Sequence, residues 1–325
     1  MREMRQLSLQ SAFSDTPKKR ERVKKLKVYD FFCGAGGYSE GCRRAGHKVV
    51  YACDVDPIAL AVHKRNHPDT KHQCVQLPAK CGPSFLPRTR RAGRRVHLHG
   101  SPPCTALSIA WRRGGTPGAE KRALRLVKWY LKLAIRSHAA SWSMEQVPEA
   151  SVIDVLKGLR QKYPKRVAFC VVNFCKLGLP QSRKRLIAGT PDIVARVLRA
   201  ELNGARQTVA QALPGWQWGF IWNTTCKGRQ SGFVGESHRR PAVPISQPSP
   251  TIVAGRPNFW ARTRTMYPDK TLLPFGVMEC AVLQGFAKQY SFSQMPAQAR
   301  KEIGNAVPPP IAEIMMGRTD YGVNT

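Results

Sequence analysis

The chain has 325 residues, 42% of them hydrophobic, enough for one sizeable core with a smaller lobe attached. Lys and Arg number 53 against 20 Asp and Glu, a formal net charge of +33, which points to a polyanionic partner and to nucleic acid first. No apolar run reaches the length of a membrane span, and ten cysteines at irregular spacings without a CxxC pair read as reduced thiols of an intracellular protein, not as a disulfide framework or a zinc site.

Residues 1–27 carry nine basic and three acidic side chains, so most of the charge lies beyond them. The dense run from Pro17 to Lys27 reads as a DNA-contacting arm, a nuclear import signal or a solvated tail. From Lys27 the pattern alternates. KVYDFF is a buried strand, the segment after the glycines a helix, HKVVYAC a second strand, and PIALAVHKRN a helix with Pro57 in its first turn. Further strands are expected at Val96 to His99, Ser141 to Glu145, Arg166 to Asn173 and Arg185 to Gly189. Ala123 to Ile135 has the spacing of a crossover helix, with Trp129 and Tyr130 in the core. This is the rhythm of a parallel α/β sheet. From about Gly204 to Thr271 Gly, Pro, Trp and Arg are frequent and periodicity is poor, which predicts a loop-rich lobe. Helical signal returns at Phe275 to Phe286 and closes the chain at Pro308 to Met316.

Two stretches carry chemistry when read from their residues. At Asp30 to Gly37 a strand runs into Cys-Gly-Ala-Gly-Gly and a helix, where glycines let a ligand approach the backbone; Ser39 stands where a dinucleotide fingerprint has its third glycine. Asp54 ends the second strand about twenty residues on, placed for ribose hydroxyls. Cys104, in GSPPCTALS directly after a short strand, has the setting of a nucleophile, although a lone cysteine is more often a small buried hydrophobe.

Together with MEQVPE (144–149), PQSRKR (180–185), ECAVLQGF (279–286) and GNAVPP (304–309), these segments resemble, in type and in order, the cytosine-5 DNA methyltransferase family of the stand-alone bacterial or viral kind. The resemblance covers about Lys27 to Gly317. It implies a doubly wound, mostly parallel sheet that binds S-adenosylmethionine and no metal, with a smaller target-recognition lobe. It gives Cys104 as the nucleophile toward carbon 6 of cytosine, Glu145 as the acid at ring nitrogen 3, and Arg183 and Arg185 as contacts to the base oxygen and nearby phosphates. For the cofactor it gives Asp30, Phe32, Gly34, Gly36, Gly37, Asp54, Pro103, Asn305 and Val307. The acid that the family usually has after its third strand is missing from HQCVQLP, where Gln76 is the candidate substitute. Thr105 and Gln146 depart from the usual Gln and Asn.

The implied organisation is a basic arm (1–26), a catalytic domain (27–190), a recognition lobe (191–271) and a return to the catalytic domain (272–325). Residues 108–118, with Arg112, Arg113, Gly114 and Gly115, have the composition of a loop that closes on a flipped base; Trp216, Trp218, Arg229, Arg239 and Arg240 are candidate groove contacts. Duplex DNA is the expected partner of a monomeric enzyme, in bacterial cytoplasm or in the nucleus or virion of a eukaryotic system. A tRNA methyltransferase and a catalytically silent homologue are the alternatives. The tRNA branch's Cys-Phe-Thr run is absent, and a silent copy would be free to lose Cys104 and Glu145.

Overall fold

The computed structural model describes residues 25–78, 94–103, 118–215, 220–223, 243–254, 258–261 and 273–317. Cys104, most of the 108–118 loop, residues 1–24 and the five candidate groove contacts lie outside them.

Period-two alternation builds the central sheet. In β1 (Lys27–Phe31) Val28 turns to one face and Phe31 to the other, each into its own core. Seven strands follow the order β3-β2-β1-β4-β5-β8-β6, with β2 Lys48–Asp54, β3 Lys71–Cys74, β4 Val96–Gly100, β5 Ser141–Gln146, β6 Ala168–Asn173 and β8 Lys184–Gly189. All neighbours are parallel except β8, which runs against both β5 and β6. The chain winds outward from β1 to β3, then returns to the other side of β1 at β4. The carboxyl ends of β1 and β4 therefore flank a topological switch point, where open α/β sheets form their binding crevice.

One face is covered by α1 (Gly37–Arg44), a helix α5 (Pro191–Asn203) and α9 (Pro309–Met316), around Tyr38, Phe174, Ile193, Val197 and Ile311. The other is covered by α3 (Ala119–Arg136) and α4 (Ala150–Lys162). On α3, Ala123, Val127, Tyr130, Leu131 and Ala134 recur at helical spacing and pack on Phe31, Leu98 and Trp142. Leu131 is fully buried there, and its truncation to alanine would cost about 2–5 kcal/mol. Helix α2 (Pro57–Asn66), packed on β2 and β3, starts where the Asp56 carboxylate accepts from the Ile58 and Ala59 amides ahead of Pro57.

The boundary expected at 191 falls ahead of a helix, α5, whose Ile193 and Val197 are buried in the same core as the central sheet. After it come α6 (Val209–Ala212) and, among the described residues, an antiparallel sheet ordered β10-β9-β12-β13: Val243–Pro244, Phe220–Asn223, Asn258–Ala261 and Leu273–Pro274. Its core is continuous with α7 (Val277–Leu283) and α8 (Pro296–Asn305) through Ile221, Phe275, Leu283 and Ile303. A two-residue parallel pairing, β7 (Gln181–Ser182) with β11 (Ser249–Pro250), joins lobe to body.

Candidate active site

The glycine loop after β1 begins at Phe32, whose φ of 58° is left-handed. A non-glycine residue held there stores roughly 1–3 kcal/mol of backbone strain, and its ring meets the edge of Trp129 at 6.3 Å. Gly34, also left-handed, has no atom within 4 Å of where a Cβ would stand, so its side of the loop is open to a ligand. The other two glycines have a different reason. A Cβ at Gly36 would collide with the Tyr290 hydroxyl, and one at Gly37 with the Val307 carbonyl. They are small so that the return segment can close against the loop.

Asp54 is oriented before any ligand arrives. Oδ2 accepts from the Gly34 amide at 2.8 Å and Oδ1 from the Asp56 amide at 2.9 Å. Each oxygen keeps a further lone pair for hydroxyl donors. Beside it Val55 and Ile58 are 56% and 53% exposed, large apolar side chains at the rim of the crevice. Motif reading missed both; the signal was an apolar residue directly after the strand-end acid. Gln76 is exposed and makes no side-chain hydrogen bond among the described residues, and Asn305 is exposed at the end of α8.

Asp30 lies beneath the loop, fully buried. Its Oδ2 accepts from Ser39 Oγ at 2.7 Å, while Oδ1 has no hydrogen-bond partner among the described residues. Burial pushes its pKa up to about 7 against the Ser39 hydrogen bond, with the Asp54 charge adding to the rise. Ser39 Oγ also meets His63 Nε2 at 3.0 Å, and His63 Nδ1 meets His72 Nε2 at 2.8 Å. Ser39 has one proton. When Asp30 is ionised that proton goes to Asp30, so His63 donates to Ser39 and His72 donates to His63. An orphaned buried carboxylate oxygen, an open glycine and an acid with free lone pairs suit a ligand that carries both a cation and vicinal hydroxyls.

On the Cys104 side the chain leaving β4 is tethered residue by residue. Gly100 is small because the Tyr130 ring lies against it. The Ser101 amide donates to the Phe31 carbonyl at 3.2 Å, and Ser101 Oγ pairs with His99 Nε2 at 2.8 Å. Gln146 Nε2 donates to the Pro102 carbonyl at 3.0 Å. Pro103, exposed, is the last described residue before Cys104. Alternation along β4 sends His97 and His99 to the α1 face. There His99 Nδ1 meets Ser143 Oγ at 2.8 Å, and His97 meets Tyr38 Oη at 2.7 Å and Ser141 Oγ at 2.7 Å. The His99 and Tyr38 rings stack, 3.3 Å between centroids. Burial drives both imidazoles toward neutrality, His97 to about 3 and His99 well below its ordinary range. No motif announced this network; two polar residues at alternate positions of an otherwise apolar strand were its only trace.

Glu145, at the end of β5, is buried, with Oε1 at 2.9 Å from Arg185 Nε. The two are in ion contact but out of hydrogen-bond alignment, which leaves both atoms able to reorient toward a third group. Arg183, expected at the base or nearby phosphates, has backbone partners in this structure. It is 2% exposed and donates to the carbonyls of Ile252, Gly304 and Ala306. Gln181 joins the same junction, accepting from the Ile252 amide and donating to the Leu283 carbonyl and to Gln284 Oε1. Arg183 is a bracket between the lobe and the return segment; it stands in the break between β7 and β8, whereas Arg185, within β8, faces Glu145.

A family model for C-5 cytosine-specific DNA methylase matches residues 26–190 and 215–319. The chain belongs to that family. Among curated methylases of bacterial origin it is 30% identical over 177 residues to the type II methyltransferase M.XorII of Xanthomonas oryzae pv. oryzae, covering 49% of this chain and 38% of that protein. To the type II methyltransferase M.HgiDI of Herpetosiphon aurantiacus it is 27% identical over 300 residues, 87% of this chain and 90% of that one. A solved chain encoded within an E. coli prophage matches 90% of this chain and 97% of its own length at a TM-score of 0.58 and 18% identity, a likeness of fold. Among the described residues no helix is long and apolar enough to cross a membrane, and no group of three or more His, Cys, Asp or Glu could hold a metal ion.

Proposed function

We propose that the protein methylates carbon 5 of a cytosine flipped out of duplex DNA, with Cys104 as nucleophile and S-adenosylmethionine as methyl donor. The observation that carries this reading is the convergence at one sheet edge of the buried Glu145–Arg185 pair with the tethered residues 100–103 that lead into Cys104.

Carbon 5 of cytosine is too electron-poor to take a methyl group unaided. The Cys104 thiolate adds to carbon 6, and Glu145 supplies a proton or hydrogen bond at ring nitrogen 3, so that carbon 5 becomes enamine-like. Arg185 holds the Glu145 carboxyl in place and reaches the base oxygen. When bound, the cofactor supplies an electrophilic methyl group. Asp54 would hold its ribose hydroxyls, Phe32 and Val55 its adenine, and Gly34 with Asp30 its methionine end. Transfer of the carbon 5 proton to solvent, with the ring nitrogen 3 proton returned to Glu145, then lets the Cys104 thiolate leave carbon 6. Residues 204–274, with the small antiparallel sheet, would read the sequence.

The test is transfer of labelled methyl to mixed-sequence duplex DNA and, in parallel, to total tRNA, with bisulfite sequencing of the DNA product. Label on DNA cytosines in a short common context, abolished by Cys104→Ala, is expected. Label on tRNA alone, or transfer that survives Cys104→Ala, overturns the reading.

A further inference from the structure

The charge of +33 is far more than a catalytic cleft needs, and helix α3 shows where part of it goes. Lys121, Arg125, Lys128, Lys132 and Arg136 are all exposed and follow one another at spacings of four, three, four and four residues. At 3.6 residues per turn these positions fall within an arc of about 80°, opposite the buried stripe, and span roughly 22 Å of helix. None of the five forms an ion pair among the described residues; the one carboxylate on α3 is Glu120, and the one on α4, Asp154, is held by Lys157 at 3.0 Å. Below Lys128 the stripe borders a groove between α3 and α4. Its floor is Ile135, Val155, Leu159 and Tyr163, and its far rim is Lys162, whose ammonium lies over the Tyr163 ring at 5.6 Å.

The level of the stripe relative to the active site can be read from the packing. Trp129 meets Phe31 and Phe32, and Tyr130 meets Gly100, so this turn of α3 is level with the carboxyl ends of β1 and β4. Residues before it rise beside the crevice. Residues after it descend, because α3 ends at Arg136, just ahead of the start of β5 at Ser141. Lys121 and Arg125 thus flank a duplex lying over the site, whereas Lys132, Arg136 and Lys162 lie below its floor.

We propose that the α3 stripe and Lys162 form a second DNA-backbone track, which takes duplex leaving the crevice and guides it down the α3–α4 flank. The inference rests on duplex DNA being the substrate. A row of unpaired cations repeating every 4.5–6 Å suits a phosphate backbone, each contact displacing condensed counterions. Continuity with the crevice through Lys121 and Arg125 favours the same duplex over an unrelated acidic partner.

Salt dependence tests it without any methyl transfer. The affinities of wild type and of the triple variant Lys132→Gln, Arg136→Gln, Lys162→Gln are measured against salt. One duplex has about 12 base pairs, roughly 40 Å, and the other about 40 base pairs. For the long duplex the slope of log K against log salt should shrink by about 2.7, three contacts' worth. Between about 50 and 200 mM salt the variant should then lose about 40-fold less affinity than wild type. The short duplex should show equal slopes, and cofactor affinity should be unchanged. Equal slopes for both lengths overturn the track. So does competition by polyglutamate as effective as that by the long duplex. Failure of the methyltransferase reading is seen separately, as absent methyl transfer by the wild type.

Discussion

Two histidine networks lie under the two halves of the crevice, and they differ in kind. Beneath the cofactor loop, His72, His63 and Ser39 form a chain that ends on a carboxylate, Asp30, whose pKa is about 7. Beneath the chain leading to Cys104, His97 and His99 join serines and a tyrosine, with no carboxylate among their hydrogen-bond partners in the described residues. The first network can take up and release a proton near neutral pH. In the second both imidazoles stay neutral at physiological pH, so what it can do is hold a shape. Polar networks of this kind are costly when partly satisfied and rigid when complete.

The largest expected effect comes from breaking the rigid network. His99→Leu leaves Ser101 Oγ without its imidazole partner and Ser143 Oγ with only His97 and Tyr38, and so loosens the residue three before Cys104. A displacement of about 1 Å at a reacting group costs about 100-fold in rate. Covalent capture of 5-fluorocytosine duplex should therefore slow by about that factor while cofactor affinity stays within about twofold. His99→Gln, which keeps a donor and an acceptor, should recover much of the rate. Equal capture rates in wild type and His99→Leu would reduce the network to fold stability alone.

A smaller effect is expected on the cofactor side. With its pKa near 7, Asp30 is largely protonated at pH 6 and largely ionised at pH 8. A cationic group of the cofactor set against Oδ1 favours the ionised form, so binding releases a proton at pH 6 and affinity rises from pH 6 to pH 8. Calorimetry in buffers of different ionisation enthalpy should detect that proton. Asp30→Asn should bind about 10-fold more weakly at pH 8, a typical cost for one charge-assisted contact, with no pH dependence from this site. Proton-neutral binding by the wild type would remove Asp30 from the cofactor's contacts.

Much of this arrangement was legible in the sequence. Alternation and turn chemistry located β1, β2, β4, β5, β6, β8 and α3, because each of these elements has an apolar face whose period is set by its own geometry. Legibility stopped where a residue's partner is distant in sequence. Arg183 looks like a strand cation in PQSRKR, yet its carbonyl partners are up to 123 residues away. Gly36 and Gly37 fit a ligand-approach motif, but what crowds them is Tyr290 and Val307. A boundary at 191 suggests itself because α5 follows β8 after a single residue, and only its buried face, matched to the sheet, shows what that helix packs on.

The contrast between the networks can be measured most finely as proton uptake on unfolding. Buried neutral histidines have pKa values depressed below about 6.5, so their contribution to stability is present above that value and is lost as pH falls. Near pH 5–6, His97 and His99 each take up one proton on unfolding, a slope of about 2.7 kcal/mol per pH unit together. His63, driven well below its usual range, and His67, lowered to about 4, do the same on the other side. Asp30 opposes them, because its raised pKa makes the native state hold a proton that the unfolded chain has given up. Urea unfolding followed between pH 5 and 6 should therefore show a slope lower by about two protons in the His97→Gln, His99→Gln double variant. In Asp30→Asn the slope should be higher by about one, since the opposing proton is gone. A slope that Asp30→Asn leaves unchanged would mean that Asp30 is ionised in the native protein, and the two networks would then differ in partners but not in their capacity to carry a proton.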